Sequence, residues 1–180
     1  MNVIHRTGVT SMRVLAMAAA VLVAVSTTLV SALPAQAVQI SRQDLIARAK
    51  TWLTANNGGP VPYSQELFWG TEKYRQDCSG YVSMAARIGA PGERTVELHD
   101  YFSTKLNSMN DLRWGDIVVD PVGTRTTRHV VIFDKWADPY KTAYWAYEQR
   151  NTYGTSHRVL KYGLTPGDGY VPRKLNNVIG

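Results

Sequence analysis

The chain has 180 residues, of which 44% are hydrophobic, and it carries 20 Lys and Arg against 14 Asp and Glu. This length allows one domain, and the mild positive charge suits an anionic surface such as a bacterial wall. The sequence contains no run of basic residues and no nucleotide-binding loop, so we expect no nucleic-acid partner and no cofactor.

The N-terminal segment has the form of a secretory signal peptide. Two arginines precede an apolar run over residues 14–30, and an Ala-Gln-Ala triplet ends at Ala37. We therefore predict a signal peptide over residues 1–37 and a mature domain over 38–180. The alternative is a retained membrane anchor, but the run is at the short limit of roughly 17–25 residues for a span. After cleavage we expect a monomer without membrane contact, either secreted or associated with the cell wall.

Helical patterns occupy the first part of the mature chain. Residues 41–55 begin with the spacing of a capping box and continue with apolar residues at helical intervals. Residues 61–75 are irregular and rich in aromatics. Asp77 is a good N-cap residue, which puts Cys78 at the first position of a second helix. A third helical pattern covers residues 95–106.

From Trp114 onward the sequence changes to strand patterns. The continuous apolar run at 129–133 predicts a strand that is covered on both faces. The predicted strands cover residues 117–119, 129–133, 142–149, 156–162 and 170–173. Helices therefore precede strands, which predicts an α+β fold with N-terminal helices packed on a C-terminal antiparallel sheet.

The chain contains one cysteine, Cys78. A lone cysteine forms no internal disulfide, so in an exported protein it is a reactive group, an intermolecular link or a small buried side chain. Thiolates are the reactive species, and helix N-termini favour them. The free backbone N–H groups of such a helix start also suit the oxyanion of a tetrahedral intermediate. These properties favour Cys78 as a nucleophile.

A cysteine nucleophile needs a base, and the mature chain offers three histidines. His99 lies in the third helical pattern, and we interpret it as an exposed helical residue. His157 is followed by Arg158, a cation that disfavours an imidazolium, so we interpret it as structural. His129 opens the most apolar strand and is the candidate base.

The base must in turn be oriented by a third polar group. Glu148 is the only acid in the aromatic strand over 142–149, where alternation places it on one face with Tyr144 and Ala146. That strand would be the antiparallel neighbour of the strand that His129 opens. Glu148 is therefore the candidate partner of His129, with Gln149 and Asn151 as weaker alternatives.

Three motifs carry a family resemblance. Asp-Cys-Ser-Gly around Cys78, Trp-Gly-Asp-Ile-Val ending at Val118, and His-Val-Val-Ile-Phe from His129 resemble, in this order, the NlpC-type family of cell-wall cysteine peptidases. The resemblance covers about residues 41–175 and implies a papain-like domain. It also implies hydrolysis of amide bonds in peptidoglycan stem peptides.

The resemblance implies roles for single residues. Cys78 would be the nucleophile and His129 the base, while Glu148 occupies the matching place of the family's variable third polar residue. Tyr63, Asp77 and Ser79 would lie on the substrate side. Asp116 would hold the entry to a strand.

Two other functions remain open at this stage. The domain could be a non-catalytic wall-binding protein that uses aromatic side chains such as Trp69 and Trp145 for stacking. It could also be a cysteine acyltransferase, transglutaminase-like, because hydrolysis and transfer both pass through a thioester. No metal is expected, since the histidines and the cysteine lack ligand spacing.

Overall fold

The computed structural model describes Met1 and residues 37–180. The predicted signal peptide over residues 1–37 lies outside the described residues except for its two ends. Within the described part of the chain, no helix has the length and apolar character needed to cross a membrane.

The first helix, α1, spans Arg42–Thr51 and begins as the capping pattern predicted. The Ser41 hydroxyl accepts a hydrogen bond from the Asp44 backbone N–H at 3.0 Å and donates to its carboxylate at 2.8 Å. The helix is shorter than the predicted range of 41–55. After Thr51 the backbone tightens, because Leu53 N donates to the carbonyl of Lys50, three residues earlier.

The second helix, α2, spans Cys78–Ala85, and all eight of its residues are buried. Asp77 is its N-cap, with Oδ1 accepting from Gly80 N at 2.6 Å. The last residue of the Asp-Cys-Ser-Gly motif is glycine for a steric reason. A Cβ on Gly80 would overlap the carbonyl oxygen of Arg75 and lie 2.8 Å from its carbonyl carbon.

The strands form one main sheet and two small pairs. A six-stranded sheet has the order β4-β9-β5-β6-β7-β8, and every neighbouring pair in it is antiparallel. β1 pairs with β10, and β2 pairs with β3. The strands are β1 Ile40–Ser41, β2 Phe68–Trp69, β3 Tyr74–Arg75, β4 Ser103–Lys105, β5 Ile117–Asp120, β6 His129–Trp136, β7 Tyr144–Arg150, β8 Gly154–Leu160, β9 Val171–Leu175 and β10 Val178–Ile179.

The sheet separates two apolar clusters. Val130 and Ile132 of β6 pack on the helix side with α1 and α2. Val131 and Phe133 pack on the opposite side with Tyr144 and other residues of the later strands. The prediction of a strand buried on both faces is therefore confirmed, and the alternation of side chains accounts for it.

The third helical pattern was predicted too long. α3 spans only Thr95–Asp100, and residues 103–105 form the edge strand β4 instead. The Ser103 hydroxyl donates to the carbonyl of Leu98 at 2.6 Å and accepts from Arg173 Nε at 2.7 Å. These bonds hold the chain against β9, so pairing with the sheet outweighs the weak helical periodicity.

Other boundaries differ by a few residues. β6 extends to Trp136, and β8 begins at Gly154 rather than at residue 156. The predicted α+β architecture, with N-terminal helices on a C-terminal antiparallel sheet, is confirmed. β6 and β7 are antiparallel neighbours, with Ile132 opposite Tyr147.

Candidate active site

Cys78 lies at the N-terminal end of α2, where the thiol is held in a nearly buried position. The residue is 6% exposed, and its sulfur lies 3.9 Å from the Thr95 hydroxyl oxygen. The first backbone N–H groups of a helix have no partner within it. The Asp77 carboxylate takes Gly80 N, whereas the N–H groups of Cys78 and Ser79 have no hydrogen-bond acceptor within residues 37–180.

His129 connects the thiol to the sheet. It is the first residue of β6, its side chain is 17% exposed, and its Nε2 lies 3.0 Å from Glu148 Oε2. Burial lowers the pKa of His129, but hydrogen bonds to Cys78 and Glu148 and their negative charge outweigh it and raise the pKa to about 9. His129 is therefore an imidazolium at neutral pH.

Glu148 is fully buried and carries the third charge of the site. Its Oε1 accepts a hydrogen bond from Arg158 Nε and lies 3.3 Å from Arg150 Nε and 3.5 Å from the Ser156 hydroxyl. Burial raises the pKa of Glu148, but the hydrogen bonds from His129 and Arg158 outweigh it and hold the pKa below its ordinary value. The buried carboxylate thus stays ionised and fixes the imidazole.

The two weaker candidates for the third residue lie elsewhere. Gln149 is buried on the other face of β7, where Nε2 donates to the carbonyls of Pro62 and Gln76, both at 3.0 Å. This amide ties the segment that precedes the cysteine to the sheet. Asn151 lies in the turn after β7, and its side chain accepts from the Thr152 backbone N–H. Glu148 is the candidate that contacts His129.

The remaining histidines have partners of their own. His157 Nε2 lies 2.9 Å from Asp134 Oδ2, and its ring stacks on Tyr147 with centroids 4.2 Å apart. His99 Nδ1 lies 2.6 Å from Asp100 Oδ1. The sequence had suggested that His99 is exposed, but its side chain is half-buried. Its other ring nitrogen lies 3.3 Å from Arg173 Nη1.

The predicted substrate-side residues line one groove beside the thiol. Tyr63, Asp77 and Ser79 border a cavity of about 500 Å³ that reaches Cys78. Arg75 links two of them, since Nε donates to Asp77 at 3.0 Å and Nη2 to the Ser79 hydroxyl at 3.2 Å. Burial raises the pKa of Tyr63, so its phenol stays protonated.

An aromatic pair packs beside the His129 ring. The ring of Tyr162 meets the His129 ring edge-on, with centroids 5.9 Å apart, and stacks on Tyr170 at 4.5 Å. The Tyr162 hydroxyl also lies 3.3 Å from Arg158 Nη2. The aromatic rings limit water around the imidazolium, which strengthens its interaction with Glu148.

Three contacts at the site were missed by sequence reasoning. Thr95 was predicted only as the start of a helix, yet it contacts the thiol. Arg158 was considered only as a neighbour of His157, yet it holds Glu148. The tyrosine pair was not identified. Strand alternation could have found Arg158, because residues 148 and 158 lie on the same face of neighbouring strands in the observed register.

The arrangement suits nucleophilic catalysis. A thiol at a helix start, an imidazolium and a buried carboxylate follow one another in contact, as acyl transfer through a thioester requires. No group of His, Cys, Asp and Glu residues suited to a metal ion occurs among the described residues.

Comparison with known proteins gives matches in structure alone. No protein-family model and no curated protein sequence matches the chain. A lipoprotein-like NLP/P60 family protein from Staphylococcus aureus is 19% identical with a TM-score of 0.49, and the match covers 74% of this chain and 41% of that one. An NlpC/P60 family protein from Bacillus cereus is 16% identical with a TM-score of 0.46, and the match covers 78% of this chain and 42% of that one.

The chain therefore spans less than half the length of each of these two proteins. Both carry the name of the family that the three sequence motifs resemble.

Proposed function

We propose that the chain is a secreted or wall-associated cysteine hydrolase that cleaves amide bonds in peptidoglycan stem peptides. The observation that carries the proposal is the chain of contacts from Cys78 through His129 to the buried Glu148. The order of the three motifs and the secretory form of the first 37 residues support the substrate and the location.

In the proposed reaction, the Cys78 thiolate attacks the carbonyl carbon of the scissile amide. The oxyanion of the tetrahedral intermediate takes hydrogen bonds from backbone N–H groups at the start of α2. His129 then gives its proton to the leaving amine, the C–N bond breaks, and a thioester remains on Cys78. Throughout, Glu148 holds the imidazole by its Nε2.

Water completes the cycle. Neutral His129 accepts a proton from a water molecule as its oxygen attacks the thioester carbonyl. Collapse of the second tetrahedral intermediate breaks the C–S bond and releases a carboxylic acid and the thiolate. Hydrolysis therefore needs water at the thioester, whereas an acyltransferase would admit a second amine there.

The test uses residues 38–180 and purified peptidoglycan, with fragments identified by mass spectrometry. We expect wild type to release stem-peptide fragments with a new amine and a new carboxylate, and Cys78→Ala to release none. Glu148→Gln should lower the rate about 10²-fold or more, because the imidazole loses its charged partner.

Two results would contradict the proposal. Equal release by wild type and Cys78→Ala would show that the thiol is not the nucleophile. Newly cross-linked peptides in place of hydrolysed ones would assign the same site to acyl transfer.

A further inference from the structure

The groove beside Cys78 has an unbalanced charge. Four arginines border it, together with only two acidic residues, Glu66 and Asp77. Arg75 forms an ion pair with Asp77 at 3.0 Å, and Arg125 forms one with Glu66. Within each pair the two opposite charges cancel. The groove's net positive charge therefore comes from the other two arginines, Arg94 and Arg128.

Neither of these two arginines is paired within the described residues. Across residues 37–180, no carboxylate lies within 4.0 Å of the side chain of Arg94 or Arg128. Arg128 Nε donates to the carbonyl of Thr124 at 3.2 Å, which fixes the guanidinium and leaves its charge uncompensated. Arg94 is exposed to solvent.

Their places in the chain tie both cations to the thiol. Arg94 directly precedes Thr95, whose hydroxyl contacts the sulfur, and Arg128 directly precedes His129. They therefore border the groove from the residues immediately before α3 and β6. A guanidinium binds carboxylates with paired, charge-assisted hydrogen bonds, which are stronger than bonds between neutral groups.

We propose that the groove binds a substrate segment carrying a free carboxylate close to the scissile amide, and that Arg94 and Arg128 hold this carboxylate. This inference rests on the proposed function for the cleavage reaction, and it adds which charge the groove selects in a substrate. The two arginines would thus select anionic peptides over neutral ones of the same shape.

The first test needs no turnover. Iodoacetate and iodoacetamide alkylate the same sulfur and differ by one negative charge, and Cys78 is the only cysteine in the chain. The measurement is the ratio of their second-order rate constants at low salt. We expect Arg94→Gln and Arg128→Gln each to lower the iodoacetate-to-iodoacetamide ratio about 3-fold or more, and 0.5 M salt to lower it in wild type.

Two variants control this measurement. Arg94→Lys keeps the charge and should keep most of the ratio. Arg113→Gln removes an exposed arginine that does not border the groove, and it should leave the ratio unchanged. A ratio that is equal in wild type and in both glutamine variants would overturn the proposal, whether or not the protein hydrolyses peptidoglycan.

The second test uses turnover. Paired stem-peptide substrates that differ only in one carboxylate, free or amidated, are compared by kcat and KM. We expect amidation to raise KM about 5-fold or more in wild type and to have little effect in the Arg94→Gln, Arg128→Gln double variant. A preference for the free carboxylate that is equally large in wild type and in the double variant would contradict the assignment to Arg94 and Arg128. Hydrolysis without any preference would overturn this inference and leave the proposed function standing.

Discussion

The charge state of single residues decides what this site does. His129 is held as an imidazolium by Glu148 and Cys78, and its pKa of about 9 depends partly on the sulfur of Cys78. In Cys78→Ala we therefore expect the His129 pKa to fall toward its ordinary value of about 6.5. An NMR titration of the imidazole in both proteins measures it. Identical titration curves would mean that the thiol and the imidazole do not interact.

The same shift makes stability depend on pH. Because the folded pKa of His129 lies above its unfolded value, the protonated ring stabilises the fold fully below about pH 6.5, and this contribution is lost as pH rises through about 9. We expect wild type to exceed His129→Gln in free energy of unfolding by about 2–3 kcal/mol at pH 6 and by much less at pH 9.5. Denaturant titrations at the two pH values test this. A difference that grows with pH would reverse the sign and contradict it.

Arg158 is a positioning residue in this arrangement. Its Nε donates to Oε1 of the buried Glu148 carboxylate, while His129 Nε2 contacts Oε2 of the same group. We expect Arg158→Gln to lower the free energy of unfolding by about 2 kcal/mol and to lower the hydrolysis rate, because Glu148 then holds the His129 ring less firmly. Arg158→Lys should restore part of the stability and part of the rate. Thermal unfolding and a pH–rate profile give the two readouts. An unchanged pH–rate profile would leave Arg158 with a structural role only.

At the scale of elements, the start of α2 is set by close packing against the segment before it. Gly80 lies against the backbone of Arg75, and Arg75 in turn bonds the side chains of Asp77 and Ser79. Helix propensity alone would favour alanine at position 80.

We nevertheless expect Gly80→Ala to destabilise the fold by about 1–3 kcal/mol, because the added methyl group must displace backbone. The displacement should also slow alkylation of Cys78. Gly59→Ala is the control, since a Cβ there meets only Asn56 O at 3.3 Å. Thermal unfolding of both variants gives the comparison, and equal melting temperatures would contradict the packing argument.

Local signals explain which parts of the fold were predictable from the sequence. Asp77 as N-cap and the apolar run after His129 are patterns within a few residues, and both elements were placed correctly. The prediction of a helix through residue 106 was wrong, because residues 103–105 form a strand by pairing with β9, which lies far along the chain.

The candidate site follows the same division. Cys78, His129 and Glu148 could be selected because each residue stands out within its own element. Strand alternation makes Arg158 a candidate, but its contact with Glu148 depends on the register of β7 against β8. Thr95 gives no comparable signal, since its contact with the thiol depends on how α3 meets α2. Arg94 and Arg128 look like ordinary surface cations until the groove brings them together.

At the scale of the whole molecule, the two ends of the domain are tied to each other and to the core of the sheet. β1 and β10 pair in parallel, with Ile40 opposite Val178. Arg42 reinforces this, because Nε donates to the carbonyl of Gly180 at 2.7 Å and Nη1 binds Asp116 Oδ1 at 2.8 Å. Asp116 also accepts from Arg113 N at 2.7 Å, so it holds the entry to β5 as the sequence had suggested.

Paired strands lie about 4.8 Å apart, so β1 and β10 bring residues near Val38 and Gly180 close together. The domain can therefore be circularly permuted without moving its strands and helices. A short glycine linker from Gly180 to Val38 would join the ends, and new ends can be opened between Tyr140 and Lys141. That turn follows β6 and precedes β7, at the far ends of the strands whose other ends carry His129 and Glu148. Tyr140 is 87% exposed there.

We expect this circular permutant to fold and to keep the wild-type rate of Cys78 alkylation, because such exposed turns tolerate new termini. Circular dichroism and the alkylation rate provide the measurements, and an unfolded permutant would show that the 136–144 connection is needed for folding. A permutable domain of this kind could be spliced into a loop of another protein, and it would enter and leave its host at a single point.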